Sequence, residues 1–498
     1  MSELWELSAE ETARRVRSRE VSAVDVLESA LERTARVEPL IHAWLELFEE
    51  EARERAAEID RRVGEGDPTG PLAGVTIALK DNLNVAGWPL TCASKILSGY
   101  VAPYTATAVR KLIDAGAVIL GRANMDEFAM GSSCESSAYQ VTRNPWDLAT
   151  VPGGSSGGPA AAVAAGSAVL GIGSDTGGSV RQPAALCGLV GVKPTWGRVS
   201  RYGLVAFASS TDQIGPLARD VRDAALATGI LAGPDPNDST CSTRPAEDYL
   251  ARIEEGIRGL RVGVIREIDA STFDAASGRV WREALERLQA AGAELVEVSV
   301  PSLDAAIAVY YVIAMSEASA NLARFDGVRY GRRAEKADNL LDLYLASRSE
   351  GFGPEVKRRI MLGTFALSSG YYQAYYGKAR GVLERMRQEL HAALEKADVV
   401  ATPTAPGAAF GIGEKTDDPL AMYLSDIFTT PASLTGLPAV SVPSGLDDRG
   451  LPLSLQLMGR PFEEAVVFRA ARAFELQGSF RLAPTFRAAW GRDSLLTA

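Results

Sequence analysis

From about Leu72 the chain stops reading as continuous helix and alternates short apolar runs with amphipathic stretches. GVTIALK (74–80) reads as a buried strand, TATAVRKLIDAGA (105–117) as a helix and VILGRAN (118–124) as the next strand. Strands that are apolar along their whole length need cover on both faces, and helices between successive strands supply it. The pattern predicts an α/β fold: a central mixed, mostly parallel sheet with helices on both faces. Between Leu303 and Lys396 the strand pattern vanishes, and it returns in DVVATPTAP (398–406), PAVSVPSG (438–445) and PLSLQLMG (452–459). The later strands need a sheet to join, so the intervening stretch reads as a helical insertion.

The expected organisation follows. Residues 1–65 form a helical segment packed on the core, with Ser8 and Ser22 as N-caps and Glu11 placed to complete a capping box. Residues 66–490 form a single domain: 66–302 a core carrying the site, 303–396 the insertion, and 397–490 the strands and helices that complete the sheet.

Charge narrows the function classes. The 52 Lys and Arg residues stand against 63 Asp and Glu, a net charge of −11. Phosphate backbones are held by clustered positive charge, so direct nucleic-acid binding is disfavoured. Cys92, Cys134, Cys187 and Cys241 are scattered, without CxxC pairs or spaced histidines, so no metal site is expected and a reducing compartment is. The N-terminus lacks the basic and apolar regions of a signal peptide, and AAAVAAGSAVLGIG (160–173) is too short and glycine-broken to span a bilayer. The expectation is a cytoplasmic protein with no membrane partner.

The chemistry concentrates in GIGSDTGGSVRQPAALCG (171–188). Strand-like AVLGIGSD (168–175) leads into the turn and VRQPAALCG reads as helix, so Ser179 sits on a strand-to-helix turn. Nucleophilic serines are displayed on such turns, although GxSxG is absent. The N–H groups of Thr176, Gly177, Gly178 and Ser179 are candidates for an oxyanion site. Taken alone, SDTGGS reads as merely a turn with an N-cap. GGSSGGPAAAVAAG (153–166) leads glycines into an Ala-rich helix but lacks the lysine of a phosphate loop. A base for Ser179 is not a histidine on this reading, because His42 and His391 both fall in apparently helical stretches away from any glycine turn. Lys80, ending an apolar strand, is the alternative: burial lowers a lysine's pKa and makes a neutral amine available near pH 7. A strand-end lysine also pairs with a neighbour such as Asp81 or reaches to solvent.

Lys80, Ser155 with Ser156, and Ser179 with its glycine turn resemble, in order and context, the amidase signature family, most specifically from Gly74 to Trp196. The resemblance implies a triad: Ser179 as nucleophile, Ser155 bridging beside a cis peptide, and Lys80 as base. Pro159 departs from the pattern, which more often has serine there. MDEFAMGSSCESSAYQVTRNPWD (125–147), VSRYGLVAFASSTDQIGP (199–216) and FALSSGYYQAYYGKA (365–379) resemble the branch formed by glutaminase subunits of tRNA-dependent amidotransferases. That branch implies a glutamine pocket of Tyr310, Arg359 and Asp426, with Tyr311 and Arg358 as adjacent alternatives. Arg359 suits an α-carboxylate and Asp426 an α-ammonium. It further implies ammonia supply for converting Glu-tRNA(Gln) to Gln-tRNA(Gln) in a heterotrimer with subunits B and C, and leaves open whether Asp-tRNA(Asn) is also converted to Asn-tRNA(Asn). The chain itself would carry no cofactor, and the partner would use ATP and Mg²⁺ and hold the tRNA. The alternative is a stand-alone amidase acting on small or fatty amides with the same triad.

Overall fold

The computed structural model of the chain describes residues 3–268 and 273–478, so residues 479–490 of the expected C-terminal segment lie outside the described residues. The strands are β1 (Trp44–Leu47), β2 (Thr76–Lys80), β3 (Val118–Ala123), β4 (Leu170–Asp175), β5 (Val190–Lys193), β6 (Gln213–Ala218), β7 (Arg261–Ile265), β8 (Glu294–Val298), β9 (Val399–Pro403), β10 (Ala439–Leu446) and β11 (Pro452–Gly459). They form one sheet in the order β1-β3-β2-β4-β6-β5-β10-β11-β9-β7-β8.

Period-two alternation sends successive side chains to opposite faces. Val399, Ala401, Val440, Val442, Leu455 and Leu457 join one core, which includes Val221 and Leu231 of the helix Val221–Leu231 and Phe468 and Phe474 of the helix Glu464–Leu476. Val400, Ala439 and Met458 join the other, built on the helices Ala306–Asn321 and Lys378–Lys396 through Val309, Ile313, Met386 and Leu390. Each fully buried side chain of this size stabilises the fold by about 1.5–3 kcal/mol relative to exposure. The apolar segment Pro301–Arg324 has the length of a membrane span. Its place in this second core accounts for its apolarity.

The pairing balance departs from a mostly parallel sheet. Parallel pairs occupy the flanks, β3-β2-β4 and β9-β7-β8, whereas β4-β6-β5-β10-β11-β9 is antiparallel throughout. Two of the central links, residues 194–212 between β5 and β6 and the short loop between β10 and β11, contain no helix to make a crossover. The five residues between β10 and β11, for example, allow only an antiparallel return. Between β8 and β9 the chain runs through the helices Ala306–Asn321, Leu340–Gly351, Pro354–Leu367 and Lys378–Lys396 before β9 rejoins the sheet beside β7.

The N-terminal segment is not wholly helical. Trp44–Leu47 is the sheet's edge strand, antiparallel to β3. His42 ends the preceding helix in a left-handed conformation (φ 50°), so it is a cap rather than a helical residue. The Glu38 carboxylate takes the N–H groups of Ala43 and Trp44, both at 3.0 Å, and turns the chain into the strand. Ser8 and Ser22 cap their helices. The reciprocal box forms at Ser22 with Asp25, not at Ser8, because Arg14 and Arg15 take the Glu11 carboxylate instead.

Candidate active site

β2 delivers Lys80 from its last position into the interior, and its side chain is fully buried. Nζ lies 2.7 Å from Ser155 Oγ and 3.1 Å from both the carbonyl oxygen and Oγ of Ser174. Asn82 Nδ2 donates to that same Ser174 Oγ at 2.8 Å. Burial pulls the Lys80 pKa down to about 7 against the pull of Asp126 and Asp175. A neutral amine has two N–H donors and one lone pair. With the donors directed to the two Ser174 oxygens, the lone pair is left for the Ser155 proton, which is what a base acting through Ser155 requires.

The Gly154–Ser155 peptide is cis, and both serines of the pair are buried. Ser156 N–H donates to the Ser179 carbonyl at 3.1 Å, which ties the double-serine loop to the glycine turn. Pro159 sits in the first turn of the helix Gly157–Ala164, whose geometry accepts it.

The glycine turn follows β4. Asp175 Oδ2 accepts from Val180 N–H at 3.2 Å and from Arg181 Nε at 2.9 Å, and Arg181 Nη2 meets Oδ1 at 2.8 Å. Burial works against the Asp175 charge, yet Arg181 holds its carboxyl below the usual value. Arg181 continues to the Thr429 carbonyl and to Ser433 Oγ, both at 2.8 Å, so the turn is stapled to the chain's C-terminal third. Ser179 is 7% exposed, while Ser155 and Lys80 are sealed. The N–H groups of Gly177, Gly178 and Ser179 have no acceptor among the described residues. Donors left open beside an accessible serine are the arrangement an oxyanion calls for. Gly177 packs under the Tyr310 ring, where a Cβ would stand 2.5 Å from Cζ.

Of the three pocket candidates, Tyr310 packs on this turn and Asp426 is tied to it through Thr429 and Thr430. Arg359, 2% exposed, is bound through Nε to Glu355 Oε1 at 2.7 Å and lies over the faces of Phe207, Tyr311 and Tyr423. Tyr423 OH donates to the same Glu355 oxygen at 2.8 Å, and its ring stacks on Tyr311 at 3.8 Å. No hydrogen bond among the described residues engages the terminal guanidinium nitrogens of Arg359. Its neighbour Arg358 has a side chain 43% exposed. Tyr310 faces the glycine turn and Tyr311 lies beneath Arg359. Asp426 is buried; Ser132 donates to its Oδ2, and its Oδ1 has no partner. Burial raises its pKa to about 7. A cavity of about 610 Å³ opens beside the site, lined by Ser132, Ser133, Glu127, Glu355, Arg359 and Tyr423. No cluster of His, Cys, Asp and Glu among the described residues is arranged to hold a metal ion.

Several residues around the site are not marked by sequence reasoning. Ser174 holds Lys80, and its only signal is its place in the strand-like stretch that leads into the glycine turn. Asp126 accepts from Cys134 N–H and Ser136 Oγ, both at 2.9 Å, and donates its own N–H to the Ser155 carbonyl, joining the Ser132 loop to the double-serine loop. Glu127 takes Gly353 N–H at 2.9 Å and so anchors the helix Pro354–Leu367 that carries Arg359. Asp126 and Glu127 stand in MDEFAMG, a stretch whose only sequence signal is its resemblance. Nothing local marks Glu355 or Thr429.

The amidase family model matches residues 25–468. The A-type component of glutamyl-tRNA(Gln) amidotransferase from Carboxydothermus hydrogenoformans is 52% identical over 97% of this chain and 99% of its own length. Its counterpart in Anaeromyxobacter dehalogenans is 53% identical over 95% and 96%. Among solved structures, the same component of the Thermotoga maritima glutamyl-tRNA(Gln) amidotransferase superposes with a TM-score of 0.80 at 44% identity over 96% of both chains. The peptide amidase of Stenotrophomonas maltophilia gives 0.80 at 31% identity over 95% and 97%.

Proposed function

The chain belongs to the amidase family, and on that premise we propose that it is the glutaminase subunit of a tRNA-dependent amidotransferase. The observation that carries the substrate is the pairing of a buried guanidinium whose terminal nitrogens are open with a buried carboxylate whose Oδ1 is unpartnered. Glu355 already balances the Arg359 charge through Nε, and a free amino acid partners what is left open, its α-carboxylate on the terminal nitrogens of Arg359 and its α-ammonium on Asp426 Oδ1. An uncharged amide would leave the terminal nitrogens of Arg359 and Asp426 Oδ1 open, which disfavours the stand-alone amidase.

In the proposed reaction Ser179 Oγ attacks the side-chain amide carbon of glutamine while its proton passes to Ser155 and that of Ser155 to Lys80. The N–H groups of Thr176 to Ser179 hold the oxyanion, and Tyr310 orients the substrate over Gly177. The C–N bond then breaks as the relay returns a proton to the leaving nitrogen, releasing ammonia. Water, deprotonated through the same relay, hydrolyses the glutamyl ester to glutamate and regenerates Ser179. Ammonia would pass to partner subunits B and C, which would hold Glu-tRNA(Gln), or Asp-tRNA(Asn), and use ATP and Mg²⁺ to activate it, in the cytoplasm. The acidic character of this chain, net −11, suits a subunit that leaves tRNA to its partner.

The test is the assembled complex carrying Ser179→Ala. Glutamine-dependent formation of Gln-tRNA(Gln) should vanish while added ammonium still supports it. Retention of the glutamine-dependent reaction overturns the proposal, and so does failure of the wild-type complex to amidate Glu-tRNA(Gln).

A further inference from the structure

The glycine turn and Thr429 lie 252 positions apart, yet the Thr429 hydroxyl donates to the Gly177 carbonyl at 2.7 Å. The same hydroxyl is 3.1 Å from the Asp426 carbonyl, which Thr430 Oγ1 approaches at 2.7 Å. Each hydroxyl has one proton, so the short pairs are Thr429 to Gly177 and Thr430 to Asp426. Thr429 is itself held, since its carbonyl receives Arg181 Nη1 and its side chain packs where a Cβ on Gly178 would collide with Oγ1.

A peptide unit between two glycines is the least determined by its own chain, because no Cβ on either side bars rotation of the plane. The Gly177–Gly178 peptide is trans, so its carbonyl and the Gly178 N–H point in opposite directions. Fixing one end of that plane fixes the other, and the Gly178 N–H is one of the donors without an acceptor among the described residues. We propose that Thr429 is a positioning residue for the reaction: its hydroxyl sets the plane of the Gly177–Gly178 peptide and thereby aims the Gly178 N–H at the developing oxyanion. The inference rests on the reading of the glycine turn as the oxyanion site. It adds a link between that site and the Asp426 segment, since Thr429 and Asp426 stand on one turn of chain.

The test measures glutaminase kinetics of the full chain in its complex. Thr429→Val keeps the shape and removes the hydroxyl; Thr429→Ser keeps the hydroxyl and removes the methyl. Valine should lower kcat about tenfold to a hundredfold, less than or comparable to deleting an oxyanion donor outright, with KM within about twofold. Serine should restore kcat to within about threefold of the parent. Thr429→Ala replaces valine if that variant does not fold. Unchanged kcat in the hydroxyl-less variant, an equal loss in the serine variant, or a rise confined to KM overturns the role of Thr429. Ser179→Ala, run alongside, separates the two levels: if it retains glutaminase activity, the reading of the turn fails, and if it is inactive, any failure belongs to Thr429 alone.

Discussion

Nearly every residue from 151 to 195 is buried, whereas the segment from 340 to 377 exposes Leu340, Leu341, Leu345, Met361, Phe365 and Tyr371. Both stretches supply the site. The first holds Ser155, Ser174 and Ser179 in a medium dry enough to bring Lys80 down to about 7. The second carries a single buried guanidinium on a helix whose far side is apolar and uncovered. The contrast separates two demands. Proton relay needs exclusion of water over a contiguous volume, which only unbroken burial supplies. In the proposed pocket the second stretch contributes one charged group, held by Glu355 and three aromatic faces, and the rest of its helix is free to serve another surface.

The sharpest way to break that contrast is at the base. Lys80→Met keeps the volume and removes the amine, and glutaminase turnover should fall by roughly a thousandfold or more with the melting transition retained. Steady-state kinetics beside a thermal melt decides it, and near-parental turnover would remove Lys80 from the relay. Next in size is the pocket. Truncating one partner of a buried charge pair costs about 2–5 kcal/mol, so Asp426→Ala should lower kcat/KM for glutamine by roughly two orders of magnitude. Hydrolysis of a small amide lacking the ammonium should be nearly unchanged. Equal loss on both substrates would make Asp426 structural.

Acid should act on relay and pocket separately. The relay needs Lys80 neutral and the pocket needs Asp426 ionised, and burial places both transitions near 7, so falling pH removes both. Below that pH, log kcat/KM for glutamine should fall with a slope of about two, and for the ammonium-free amide with a slope of about one. Asp426→Asn should reduce the glutamine slope to one; a slope of one in the parent would mean that one of the two groups does not titrate there. The smallest effect belongs to the exposed face. Met361, 67% exposed, should tolerate Met361→Glu within about 0.5 kcal/mol by denaturant titration of the isolated chain, with glutamine turnover intact. A larger destabilisation would show that this face is packed in the chain's own fold.

The legible parts of the molecule share a property: their information is local. The strand ending at Lys80, the glycine turn before Ser179, the double serine and the helical insertion are each encoded within neighbouring residues. The edge strand Trp44–Leu47 is hidden because so short a stretch between helices carries little pattern, and the turn into it depends on the carboxylate of Glu38. Apart from the close spacing of β10 and β11, the antiparallel centre of the sheet is hidden, because its other pairs join strands distant in sequence or linked by long segments.

By itself, the sequence determined which residue types were available for chemistry and which were not: a lysine at the end of a buried strand, serines beside glycines, and histidines placed away from any such turn. Only the tertiary structure decided how those groups are charged and aimed. The lysine's shift comes from burial by segments distant in sequence. Its Nζ is held 2.7 Å from Ser155 Oγ by the two Ser174 oxygens on its other side, so that a neutral amine there would turn its lone pair to Ser155. The glycine turn is oriented by Arg181 and by Thr429, the latter 252 positions from Gly177. Local sequence sets the conformations a segment can adopt, but desolvation and hydrogen-bond direction depend on atoms that only folding brings within a few ångströms.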